Sequence, residues 1–114
     1  MSSTAKGRRE FTSAVNMTAA EIEEWLQTPE SRKVGWKGAE GGRGESVGHA
    51  SGRQIVAILR KKPTLDDGDY AHMRKVVGFI HRHRAQRPDN IYTSRWRYSL
   101  MNWGHDPAKD EKSP

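Results

Sequence analysis

DDGDYAHMRKVVGFIHRHRAQR, residues 66–87, is the stretch on which the fold of this chain turns, because it alone is long, strongly periodic and unevenly charged. At about 100° per residue, Tyr70, Met73, Val76, Val77 and Ile80 fall on one broad arc, the spacing of a helix that buries one side. Arg74, Lys75, His81 and Arg82 cluster on the opposite arc around Gly78, so a cationic strip flanks a position where a second backbone can come close. Asp66, Asp67 and Asp69 stand at the start and Arg82, Arg84 and Arg87 at the end, as the helix dipole favours, and Pro88 closes the segment.

Working outward, SGRQIVAILRKKP reads as a second helix. Ser51 and Gln54 make a capping box, and Ile55, Ile58 and Leu59 form the buried stripe before Pro63 stops it. Residues 35–52 hold seven of the eleven glycines, interrupted by Trp36, Lys37 and Arg43. No regular element tolerates that density, so a long loop is expected, either facing a ligand or slack. Earlier still, NMTAAEIEEWLQTP has a sharp helix start. Thr18 with Glu21 forms a capping box, Met17 with Ile22 a hydrophobic staple, and Ile22, Trp25 and Leu26 share one face before Thr28-Pro29 ends the helix. Downstream, TSRWRYSLMNWG carries Trp96, Leu100 and Trp103 on one side, with Gly104 as C-cap and Asp106-Pro107 blocking continuation.

Phe11 and Val15 lie four apart and suit a short turn. The Ser/Lys/Arg-rich residues 1–9 are expected to be a disordered basic arm and 108–114 a disordered tail, leaving 10–107 as a single helical domain. With no alternating strand pattern and no internal repeat, the expected fold is all-α: a small four-helix domain with a long Gly-rich loop between the first and second main helices and disordered termini. Its expected core is Ile22, Trp25, Leu26, Ile55, Leu59, Met73, Val77, Ile80, Trp96, Leu100 and Trp103.

The chain's 114 residues, 33% of them hydrophobic, hold one small core. A mean hydropathy of -0.95 argues the same way and against a deep enzymatic pocket. No apolar run reaches the roughly 20 residues of a membrane span and no signal-peptide segment is seen, so a cytoplasmic protein is expected, nucleoid-associated or nuclear. The absence of cysteine removes disulfides and thiolate metal sites. Residues 53–98 carry eleven Lys/Arg against four Asp/Glu, while residues 1–52 balance at seven each. An excess confined to the helical middle points to an anionic partner docking there.

Candidate sites follow from those charges. Gly44-Glu45-Ser46-Val47-Gly48 fits a nucleophile elbow, but the strand and sheet such an elbow requires are missing, and no nucleophile, base and orienting group assemble with workable spacing. No catalysis is expected. His81 and His83 point to different sides of a helix and His72 lies about 16 Å along the axis from His83, so no metal and no cofactor is expected. The three aspartates suit a helix start better than a calcium loop. Ser51, Gly52 and Arg53, read as a helix start after the glycine loop, offer a possible anion contact. Arg95, Tyr98 and Asn102 lie at i, i+3 and i+7 on the last helix, where they can reach base edges or phosphate.

NMTAAEIEEWL, GHASGRQIVAILRKK, DYAHMRKVVGFIHRHRAQRP and WRYSLMNWGHDP together resemble a family of small bacterial and fungal proteins of unknown function, often labelled DNA-binding. The resemblance covers roughly residues 11–107. It implies a helical protein of the cytosol or nucleus associated with nucleic acid, and supplies no catalytic residue or ligand.

The expected function is therefore non-catalytic binding of nucleic acid, DNA favoured over RNA, duplex favoured, with low sequence specificity. Arg74, Lys75 and Arg82 contact phosphates, Gly78 permits close approach, and His81, Arg84, Arg95, Lys61 and Lys62 widen the footprint. Four to six neutralised phosphates correspond to a log K against log salt slope of roughly -4 to -5. The competing expectation is a protein-interaction module using Glu21, Glu23 and Glu24 of the acidic first helix with Trp36 of the loop.

Overall fold

Thr18, Thr28, Ser46, Asp66 and Ser94 each accept a hydrogen bond from the backbone N–H three residues on, and each starts a helix. In a computed structural model, the backbone is described for residues 2–34, 45–61 and 65–110 and the side chains for 5–34, 45–61 and 65–109. Among these residues the order is α1 (Ser2–Ala14), α2 (Ala19–Leu26), α3 (Pro29–Lys33), α4 (Val47–Arg60), α5 (Asp67–Arg84), α6 (Arg95–Asn102) and α7 (Pro107–Asp110), with no strand. The fold is all-α. Among the described residues no helix is long and apolar enough to cross a membrane.

The four expected helices are α2, α4, α5 and α6. The capping boxes at Thr18–Glu21 and Asp66–Asp69 both form, so α2 and α5 begin where their sequences place them. Gly104, at φ +84°, closes α6: its N–H reaches the Met101 carbonyl at 3.0 Å and the His105 N–H reaches Leu100 at 3.0 Å. That is the Schellman arrangement, which a glycine allows without strain.

Three helices were not expected. Residues 2–9, read as an arm, continue α1, because Phe11 and Val15 are buried against the core and each residue added to an anchored helix gains a backbone bond. Thr28-Pro29 and Asp106-Pro107, read only as stops, are also starts. Proline at the first helical position loses no intrahelical bond, and the preceding side chain caps Ser31 N at 3.1 Å and Ala108 N at 2.9 Å. The expected tail therefore begins too early, since Ala108 is buried and Lys109 bonds Glu21 Oε1 at 2.7 Å. The residues 35–44 of the glycine loop, with Trp36, Lys37 and Arg43, lie outside the described residues, as do Lys62 and residues 111–114.

α1 lies along α5, α2 along α4, and α6 touches α2, α3, α4 and α5. Ile22, Ile55, Val76, Ile80 and Leu100 meet at the centre, with Leu26, Met73 and Trp103 beside them and Trp25, Leu59, Val77 and Trp96 at the rim. Burying one such aliphatic side chain contributes about 1.5–3 kcal/mol, so this single cluster is what holds α5 in place. The far end of the chain is pinned to the start of α2. Asn16 exchanges two hydrogen bonds with the Asp106 backbone, at 2.7 and 3.0 Å, and Arg97 grips the Asp106 carboxylate through Nε at 3.0 Å and Nη2 at 3.2 Å.

Candidate nucleic-acid interface

α5 divides into three arcs. Met73, Val76 and Ile80 are buried, with Tyr70 and Val77 partly so, and face the core. A second arc, His72, Phe79 and His83, turns toward the end of α6. There Phe79 stacks on Trp103 at 4.3 Å between centroids, with His72 stacked on Trp103 at 6.2 Å and His83 on Phe79 at 4.8 Å. Burial pushes the His83 imidazole below its ordinary pKa. Burial first, then the Lys75 charge, does the same to His72, against an opposing bond to Ser51. Burial thus disfavours the charged form of both inward histidines, while Arg74, Lys75 and Arg82 lie on the third arc.

On that third arc Arg74, Lys75, His81 and Arg82 are all exposed. A Cβ on Gly78 would meet only Arg82 Nη1, at 3.1 Å, so a flexible guanidinium, not a rigid wall, covers the glycine. The Trp96 indole N–H donates to the His83 carbonyl at 2.6 Å, which ties the first turn of α6 to the last turn of α5; exposed Arg95 lines a shallow hollow there with His83 and Gln86. Among the described residues no ion pair holds Arg74, Lys75, Arg82 or Arg95.

Two of the cations expected to widen the surface have partners inside the molecule. Lys61 Nζ is held by Asp69 at 2.8 Å and Asp66 at 3.2 Å, so its charge is spent at the start of α5. Arg84 is exposed but engaged within the molecule.

Of the α6 contacts expected, Asn102 is not available to a ligand and Tyr98 is engaged on one side. Asn102 is only 1% exposed, and its Oδ1 accepts from Trp25 Nε1 at 2.6 Å and Ser31 Oγ at 2.5 Å while its Nδ2 donates to the Ser31 carbonyl at 3.1 Å. Tyr98, one turn before it, packs on Trp25 at 5.4 Å. The α6 face carrying both is turned toward α2 and α3: Asn102 is buried there, Tyr98 is half-buried, and Arg95 is exposed. The anion contact fails for a related reason. α4 begins at Ser46, not Ser51, so Ser51 and Gly52 sit mid-helix and buried, with Ser51 Oγ 2.9 Å from His72 Nε2. Arg53 is committed to Glu45 through Nε at 2.7 Å and Nη2 at 2.5 Å, and that pairing, with help from His49 against desolvation, holds the Glu45 carboxyl down to about 2.

The glycines at this end of the presumed loop serve packing. A Cβ on Gly52 would lie 2.7 Å from the Asn102 carbonyl oxygen and 2.8 Å from Leu26 Cδ2, and one on Gly48 would lie 3.1 Å from Trp103 Nε1. Ser46, the centre of the elbow-like motif, is 1% exposed, and its hydroxyl caps α4 by accepting from His49 N at 3.0 Å.

The acidic face of α2 is partly spoken for: Glu23 pairs with Arg60 at 2.5 Å, and Glu21 pairs with Lys109 while closing the capping box. Helical periodicity assigns nothing to Tyr92, yet it is one of two large hydrophobic side chains left exposed among the described residues. The only signal for it in the sequence is an aromatic between two arginine-bearing helices.

A family model described as a protein of unknown function (DUF3140) matches residues 10–101. No curated protein and no solved structure matches the chain.

Proposed function

We propose that this chain, which belongs to the DUF3140 family of proteins of unknown function, binds duplex DNA without catalysis and with little sequence preference, through the outward arc of α5. The observation that carries the reading is the separation of charge on that helix. Its His72–Phe79–His83 arc is stacked against the end of α6, while Arg74, Lys75 and Arg82 stand exposed with no ion pair among the described residues. Unpaired cations on one face are what phosphate neutralisation and counterion release require.

DNA is favoured over RNA because an exposed helix of this kind fits the wide major groove of B-form DNA, whereas the A-form major groove is too narrow to admit it. The reading carries with it a cytoplasmic location, on the nucleoid or in the nucleus. It also ranks above the protein-interaction reading because Glu21 and Glu23 are already paired inside the molecule.

Replacing Arg74→Gln, Lys75→Gln and Arg82→Gln together is expected to weaken binding to random duplexes by at least about tenfold, alike for all sequences. The far-UV spectrum should be unchanged, since none of the three belongs to the buried arc. Equal affinity of a folded triple variant would reject the reading.

A further inference from the structure

The turn between α5 and α6 presents an aromatic ring that the fold holds rather than leaves loose. Ile91 is buried, at 3% exposure, while its neighbour Tyr92 is 55% exposed. The Tyr92 N–H donates to Asn90 Oδ1 at 3.1 Å, the Tyr92 carbonyl accepts from Arg97 Nη1 at 2.8 Å, and Ser94 Oγ donates to the Ile91 carbonyl at 3.0 Å. The Arg97 guanidinium also lies over the Tyr92 ring, 5.9 Å from its centroid, within cation–π range. Arg97 cannot drift, because Asp106 holds it through two parallel bonds. A ring fixed in this way loses little conformational freedom when something stacks on it, which is the advantage rigid aromatics bring to binding surfaces.

Its neighbourhood indicates what would stack. Arg95 is exposed three residues on, and the Trp96–His83 bond holds the start of α6 against the last turn of α5, the turn that also carries exposed Arg82. Cations that track a phosphate backbone, with an ordered aromatic beside them, are the combination that binds unpaired bases, since every base offers a π-face. We propose that Tyr92 is a stacking residue for an unpaired base of DNA whose duplex portion lies along α5. This rests on the nucleic-acid reading above and adds to it a preference for bulged or frayed duplex over perfect duplex.

The test compares a perfect duplex with the same duplex carrying a single-base bulge, with 2-aminopurine as the bulged base. The wild-type chain is expected to bind the bulged form roughly tenfold more tightly and to quench the 2-aminopurine, in line with base–aromatic stacking elsewhere. Tyr92→Ala should lose both effects and keep the affinity for perfect duplex, and Tyr92→Phe should keep all three. Equal affinity for the two duplexes, or a preference that survives in Tyr92→Ala, would overturn the stacking role while leaving the duplex reading intact. Absence of binding to either form would remove the nucleic-acid reading and this inference with it.

Discussion

The α4–α6 junction and the outer face of α5 are made from the same ingredients, a glycine among side chains that hydrogen-bond, and the fold puts them to opposite uses. At the junction a Cβ on Gly52 would strike backbone, 2.7 Å from the Asn102 carbonyl oxygen, whereas on α5 a Cβ on Gly78 would meet only the tip of Arg82 at 3.1 Å. The difference is reach. Ser31, Ser51 and Asn102 are short and neutral, so neighbours a few ångströms away satisfy them completely and burial costs little. Arg74, Lys75 and Arg82 carry full charges on long stems, and burying them unpaired would cost far more than the packing returns. Short polar groups beside a glycine thus mark helix packing in this molecule, and long cations beside one mark an outward face.

Asn102→Ala probes the inward half of that comparison and should have the largest effect. It leaves Trp25 Nε1 and Ser31 Oγ without their acceptor in a buried site, at a cost of about 2–4 kcal/mol in urea unfolding. Arg82→Gln in the same assay should stay within about 0.5 kcal/mol of wild type. A loss at Asn102 no larger than that at Arg82 would break the distinction.

The two glycines sharpen it. Gly52→Ala is expected to cost about 1–3 kcal/mol, because overpacking against backbone outweighs the gain in helix propensity. Gly78→Ala should instead gain up to about 1 kcal/mol, since Arg82 can swing aside. A thermal midpoint raised in both variants would show that the α4–α6 contact is not tight, and one lowered in both that Gly78 is hemmed in.

A smaller effect separates the inward histidines from the outward cations. The folded-state pKa values of His72 and His83 lie below the ordinary 6.5, mainly through burial, with the Lys75 charge adding to it at His72. As pH falls through 6.5 the unfolded chain takes up protons that the folded chain resists, so stability present at neutral pH declines below that point. His72→Gln should flatten that decline, as read from denaturant midpoints. The paired carboxylates act lower. Glu45, ordinarily near 4.5 and held at about 2, contributes stability that is lost only as pH falls between those values. A decline just below pH 6.5 that is unaltered in the His72 variant would assign the acid sensitivity elsewhere.

Both faces of α5 were legible in the sequence because a long helix repeats its period five times over and its aspartates and arginines mark the two ends. The capping boxes of α2 and α5 were equally plain, being contained within four residues each. What stayed hidden depended on distant partners. Asn102 looks like a base-reading side chain until Ser31, 71 residues away, is placed beside it. Gly48 and Gly52 look like loop until Asn102 and Trp103 are packed on them. Ser51 was read as the cap, but α4 starts five residues earlier at Ser46, where Gly48 of its first turn packs on Trp103 and Asn102 of α6. In the candidate site the cations of α5 and Arg95 could be chosen from the sequence. The removal of Lys61 and Arg53 could not, since it depends on which carboxylates lie within reach.

The central claim, that the outward arc of α5 with Arg95 neutralises DNA phosphates, is tested most directly by titrating the wild-type chain against random duplex over a range of salt. With Lys61 and Arg84 engaged inside the molecule, four Lys/Arg of the expected footprint remain to act among the described residues: Arg74, Lys75, Arg82 and Arg95. Log K is then expected to fall against log salt with a slope of about -3.5, dropping to about -1 when Arg74, Lys75 and Arg82 are replaced by Gln. A slope near zero, or one that the folded triple variant leaves unchanged, would contradict it.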